Sequence, residues 1–241
     1  MYSGDDLRLP FELNDESDFE RIISPDGLLT ICGFGSLLSE RSARSTFPEL
    51  INFRLARLNG FRRIFAHVAP VFFDRGIANP QTKEMSSLSV EPCEGETLIV
   101  TVFGIKKSER EHEFRFLAVL PETLDGKLFT SPAVCEIGQF VLCARFSDEE
   151  YLQIRCKGEV KKSIFSDMDN ITFTRSGVMI SYLAVFIFGT AKNLGDEAYN
   201  NFLDHTFLGD RKTTIREYLV TTGSGIMEEE PLESIKAIYS G

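Results

Sequence analysis

The sequence predicts an α+β protein: a mixed, largely antiparallel twisted sheet or barrel-like core with flanking helices. Two observations carry that expectation. Apolar, alternating and β-branched runs fill the first two thirds of the 241 residues, whereas helical spacing with capping residues fills the end. The divisions expected along the chain are an acidic, loosely docked tail over residues 1–26, a main domain over 27–208 and a helical appendage over 209–241.

The opening MYSGDDLRLPFELNDESDFE is acidic and has no apolar core, unlike a secretory signal or a basic transit peptide. GLLTICGFG then reads as a buried strand ending in a glycine turn. SLLSERSARSTFPEL has helical spacing and stops near Pro48. Residues 53–68 alternate apolar and polar positions, as a half-buried strand or bent hairpin does. IANPQTKE is a loop, and residues 86–107 read as two strands around the turn Pro92-Cys93-Glu94-Gly95-Glu96.

SEREHEF reads as a short polar helical turn, with Ser108 and Glu111 spaced as a capping box. RFLAVLPETL and QFVLCARF resume strand character. SDEEYLQIR is a helix opening on a second box, Ser147 with Glu150. Beyond Gly195, DEAYNNFLDHTFL and TTIREYLVTTG read as two helices, the latter capped by Thr214 with Glu217 and ending at Gly223.

Composition narrows the function. A formal net charge of −10 argues against nucleic acid as a partner, because phosphate backbones demand clustered Lys and Arg. The 21 Phe give ample material for a core. Five cysteines, an odd number with no CxxC, argue against a zinc site or disulfide framework and fit a reducing cytoplasm. Residues 176–191, SGVMISYLAVFIFGTA, carry no charge but fall short of the roughly 20 residues a spanning helix needs. Their β-branched and aromatic content predicts a buried strand or interior segment, with no membrane partner.

The turn in ICGFGSLLSERS demands an explanation. A dinucleotide fingerprint needs a small residue three positions after its second glycine, and Leu38 stands there after Gly33 and Gly35. A P-loop needs a GK[ST] ending, which is absent. A nucleophile elbow needs Gly two residues either side of the serine, and Phe34 and Leu38 occupy those places around Ser36. Two readings remain. Consecutive N–H groups could form a nest for a carboxylate or carbonyl oxygen, or the turn could be a tight connection in which Ser36 caps the next helix. In SEREHEF, Glu109, Glu111 and Glu113 surround Arg110 and His112, which suits either a solvated face or an acid/base site.

Taken in order, these motifs resemble the γ-glutamylcyclotransferase-like family. Its signature Tyr-Gly-Ser-Leu or Tyr-Gly-Ser-Asn stands here as Phe34-Gly35-Ser36-Leu37, followed by Glu40-Arg41. Its A-R-L-x-x-F pattern matches Ala56-Arg57-Leu58 and Phe61, and its acid/base glutamate falls on Glu111, with Glu113 as the fallback. The likeness spans roughly residues 28–120 and returns at AKNLGDEAYNNFL. Two aromatic hydroxyls of the family are missing, at Phe34 and at Phe114.

The resemblance implies an intramolecular cyclotransferase that releases 5-oxoproline from a small γ-glutamyl compound, with no metal or cofactor. The turn of Phe34, Gly35, Ser36 and Leu37 would hold the glutamyl group, and Glu111 would shuttle the proton. The alternatives are a binding module of the same fold with weakened catalysis and, more remotely, a nucleotide-binding protein.

Overall fold

The computed structural model of the protein describes residues 11–24, 26–67, 84–106, 115–127, 140–144, 178–179 and 188–224. At the middle of the sheet lies β2 (Leu28–Gly33), where Leu29, Ile31 and Cys32 are buried, as a strand covered on both faces requires. It pairs antiparallel with β4 (Glu84–Lys106) and parallel with β6 (Phe140–Ala144). Beyond β6 the sheet continues through β5 (Arg115–Val119) to β1 (Phe11–Leu13). Beyond β4 it continues through β3 (Ile51–His67) to β8 (Thr206–Leu208), while β7 (Val178–Met179) joins β4 off this path.

The two longest pairings, β3–β4 and β2–β4, are antiparallel, as are β1–β5 and β5–β6. The expected α+β class with a mixed, largely antiparallel sheet is what the chain forms. Its strand path stays open from β1 to β8 among the described residues. An antiparallel bridge between Arg57 and Glu122 nevertheless draws the chain after β5 back against β3. Side chains of β2, β3, β4 and β5 thus share one apolar cluster that includes Cys32, Ala56, Leu58, Val100 and Leu117.

The helices are short, and three of them open on a side-chain cap. Asp15 caps α1 (Glu16–Glu20), and Ser39 caps α2 (Glu40–Thr46). Asp196–Asp204 forms α3, whose Ala198, Phe202 and Leu203 are buried. Ile215–Leu219 forms α4, opened by the expected capping box between Thr214 and Glu217. A second cluster, with Leu29, Ile31, Phe47 and Phe103, receives Phe19 and Ile22, so residues from the acidic opening contribute to the core. A third joins Leu38 and Phe65 to Phe188, Phe202 and Ile215.

Three local expectations change. Residues 86–107 were expected as two strands around a turn, but β4 runs through Pro92–Glu96 as one strand with an excursion. There the three residues of β3 from Asn59 to Phe61 face the six of β4 from Pro92 to Thr97. The helix expected over DEAYNNFLDHTFL stops at Asp204, and Thr206–Leu208 becomes β8, parallel to Arg63–Phe65. The last helix ends at Leu219, and the Gly223 N–H turns back to the Tyr218 carbonyl at 2.8 Å.

Within residues 176–191, Val178–Met179 is strand and residues 188–193 are helical, with Phe188 and Ala191 buried. An interior segment is correct for that end, although strand is not. The rest of that run, the loop over residues 77–83 and the helix expected over 147–155 lie outside the described residues. Among the described residues no helix is long and apolar enough to cross a membrane.

Candidate functional site

β2 ends at Gly33, and the chain turns at once into a 3-10 turn, Ser36–Leu38. Gly33 has to be glycine. A Cβ there would lie 2.7 Å from Thr101 Oγ1 and 2.8 Å from the Leu37 Cβ, so the turn could not fold back onto its own strand. Thr101, fully buried on β4, donates its hydroxyl to the Leu37 carbonyl at 2.8 Å and secures that return. The apolar side chains of the turn then part into the three clusters: Phe34 into the first, Leu37 into the second and Leu38 into the third. Packing on three sides fixes the backbone between them.

That fixed backbone leaves donors unused, on buried Gly35 and half-buried Ser36 and Leu37. The first intraturn bond runs from the Leu38 N–H to the Gly35 carbonyl at 2.9 Å, followed by Ser39 N–H to Ser36 carbonyl at 3.2 Å. The N–H groups of Gly35, Ser36 and Leu37 precede the first bonded position and take no backbone partner among the described residues. The Ser36 hydroxyl is half-exposed and likewise makes no hydrogen bond there. Ser36 therefore does not cap the following helix: Ser39 does, accepting from the Ser42 N–H at 3.2 Å. Of the two readings of this turn, the cap belongs to a different serine.

Behind the turn stands Arg63, a residue that sequence reasoning missed. Its Nε donates to the Phe34 carbonyl at 2.7 Å, its Nη1 to Asn201 Oδ1 at 3.3 Å, and its Nη2 to the Ile99 carbonyl. The guanidinium carbon sits 4.9 Å from the centroid of the Phe202 ring. Burial pulls the group well below the usual guanidinium range, down to about 9, and the neighbouring Cys32 opposes that pull.

Its burial comes from the place of β3 in the sheet. Ala56 and Leu58 are buried at even positions, the pairing with β4 shifts between Asn59 and Phe61, and every residue from Arg63 to Ala66 is buried, so Arg63 lies where both faces of the strand are covered. Gly60, with φ of 79°, marks the shift. In the matched A-R-L motif, Ala56 and Leu58 are core, whereas Arg57 faces outward and pairs with Glu197 at 2.8 Å.

Glu111, Glu113 and Phe114 lie outside the described residues. What the structure does give is where their segment arrives. β5 runs antiparallel to β6, and β6 runs parallel to β2, so β5 begins at the end of the sheet where β2 stops. Arg115 pairs with Ala144, two residues beyond the Leu142 that pairs with Cys32. β5 thus begins at the turn's end of the sheet, whereas β4 ends at Lys106 opposite Leu28, at the other end. Among the described residues no three His, Cys, Asp or Glu side chains gather closely enough to hold a metal ion.

No protein-family model and no curated protein matches the sequence. Solved structures similar to the chain include an uncharacterized protein from Homo sapiens, at 18% identity and TM-score 0.38, covering 50% of this chain and 68% of that one. A gamma-glutamyl cyclotransferase aligns at 16% identity and TM-score 0.37, over 49% of this chain and 67% of that one. A protein from Arabidopsis thaliana aligns at 14% identity and TM-score 0.33, over 60% and 95%. Likenesses this partial bear no weight for function, which has to come from the motifs and the geometry.

Proposed function

We propose that the protein is an intramolecular γ-glutamyl cyclotransferase, acting on a small γ-glutamyl compound. The observation that supports this most is the turn itself: three consecutive N–H groups without backbone partners, locked by packing on three sides. They stand at Gly35, Ser36 and Leu37, where the motif order resembling the family would put the glutamyl group. Oriented N–H groups of this kind hold carboxylate or carbonyl oxygens without a charged side chain.

In the chemistry that follows, Glu111 takes a proton from the substrate's α-ammonium. The freed amine attacks the substrate's own γ-carbonyl and a new C–N bond closes the five-membered lactam. The original γ-amide C–N bond then breaks as protonated Glu111 returns its proton to the departing amine, and the second proton, shed by the ring nitrogen as it becomes an amide, also ends on that amine, which leaves as an ammonium. Proton count and electron pairs balance without an external reactant. The entry of β5 at the turn's end of the sheet supports this role for its preceding segment.

The test is incubation of the purified protein with a panel of γ-glutamyl amino acids, γ-glutamyl amines and glutathione, followed by an assay for 5-oxoproline. Release from at least one compound is expected. One observation favours a second reading: Phe34 carries no hydroxyl and turns its ring into the core, so a binding module with weakened catalysis would keep the cradle intact. Calorimetric binding of a γ-glutamyl compound with no 5-oxoproline over hours would favour that module.

A further inference from the structure

Arg63 is 1% exposed, and among the described residues no carboxylate pairs with it. A buried charge that lacks a counter-charge is costly unless its donors are well satisfied. Here the Phe34, Ile99 and Asn201 oxygens satisfy them, all neutral acceptors, so no carboxylate among the described residues balances the positive charge. Asn201 is fixed in turn. Its Oδ1 also accepts from the Ile99 N–H at 2.7 Å, and its Nδ2 donates to the Thr97 carbonyl at 2.8 Å, which sets the orientation of its amide.

The acceptor of the Nε proton matters most. The Phe34 carbonyl belongs to the same peptide unit as the Gly35 N–H, the first of the three free donors. A cation at the oxygen end of a peptide draws electron density from its nitrogen end, so the N–H becomes the stronger donor. The same bond also fixes the plane of that peptide, and with it the direction in which the N–H points.

We propose that Arg63 is the positioning residue of the turn: through the Phe34–Gly35 peptide it aims the Gly35 N–H and conveys positive charge to an oxygen of the bound ligand. This rests on the turn being the ligand cradle. It adds the source of the positive charge in a site whose chain carries a net charge of −10. An incoming carboxylate would supply the counter-charge that the core withholds, at one peptide's remove.

The test uses the full chain labelled with 15N-glycine, the Gly35 resonance being assigned by its loss in Gly35→Ala. Arg63→Met removes the charge, and Arg63→Lys keeps it with a looser grip. Asn201→Asp retains Arg63 and an acceptor for the Ile99 N–H but sets a carboxylate against the guanidinium. The Gly35 amide proton is expected to shift upfield in Arg63→Met and in Asn201→Asp, and less in Arg63→Lys. KM for the preferred γ-glutamyl compound should rise on the order of tenfold in the first two, more than kcat falls, with partial recovery in the lysine variant.

A merely structural Arg63 would lower the melting temperature in all three variants and leave KM and the Gly35 resonance in place. That result would overturn the assignment. Should Arg63→Met fail to fold, the comparison of Arg63→Lys with Asn201→Asp decides by the same two readouts. Wild-type protein that neither binds nor cyclises any γ-glutamyl compound would sink the reading of the turn. The Gly35 resonance would still decide whether Arg63 polarises that peptide.

Discussion

Asn201 on α3 completes the hydrogen bonding of Ile99 on β4, accepting its N–H at 2.7 Å. The place is not arbitrary. β4 returns to register with β3 just after the excursion at Pro92–Thr97, and the Asn201 amide spans the mend by also donating to the Thr97 carbonyl. Asn201→Ala would leave the Ile99 N–H and one Arg63 donor without their acceptor. A loss of about 1–3 kcal/mol is expected, the cost of an unsatisfied buried donor. Urea unfolding at constant m-value measures it. An unchanged midpoint would mean that water substitutes for the side chain.

Two glycines should respond with opposite sign. Gly33→Ala forces a Cβ to within 2.7 Å of Thr101 Oγ1, displacing either the threonine or the turn, and should cost about 1–3 kcal/mol. Gly189 lies in the helical stretch 188–193 with nothing within 4 Å of a built Cβ. Gly189→Ala should therefore stabilise by about 0.5–1 kcal/mol through helix propensity. Thermal melts of the two variants beside the wild type decide. A Gly33→Ala protein with full stability and activity would show that the tight return of the turn is dispensable.

Acid should weaken a particular contact on the outer face of the sheet. Burial alone would raise the Glu91 carboxyl. Hydrogen bonds from Arg62 and Arg211, with their charges, outweigh it and hold the group below its ordinary 4.5. The shortest contacts are 2.7 Å from Arg62 and 3.1 Å from Arg211. A carboxyl whose folded pKa lies below its unfolded one contributes stability at pH above the unfolded value, and loses it as pH falls through the folded one. The contribution is thus complete at neutral pH and fades below about pH 4.5. Glu91→Gln should be less stable than wild type at pH 7, with the difference closing in acid. Parallel stability curves from pH 7 to pH 3 would show that the carboxylate adds nothing.

Much of this was legible in the sequence because it is local. β2, its glycine turn and the Thr214 box each depend on neighbours within a few residues. Three features were hidden because distant partners create them. Thr206–Leu208 follows a helical pattern, but the exposed edge of β3 at Arg63–Phe65 takes it as a parallel strand. Pro92–Glu96 reads as a hairpin turn, yet β3 continues alongside on both sides of it and holds β4 as one strand. Arg63 sits beside Arg62 in a sequence where two adjacent arginines suggest solvent. Only the place of β3 in the sheet buries one of them, while Arg62 meets Glu91 outside. Ser36 shows the converse: its place before a helix suggested a cap, and the 3-10 turn hands that role to Ser39.

The most direct test of the proposed chemistry compares 5-oxoproline release by wild type, Glu111→Gln and Glu113→Gln on one γ-glutamyl compound. Glutamine keeps the shape of the side chain and removes the base. Glu111→Gln is expected to lower turnover by roughly 10²-fold or more with its unfolding midpoint unchanged, while Glu113→Gln stays near wild type. Loss confined to Glu113→Gln would move the acid/base role to that residue. Full turnover in both variants would contradict a glutamate-driven cyclisation at this site.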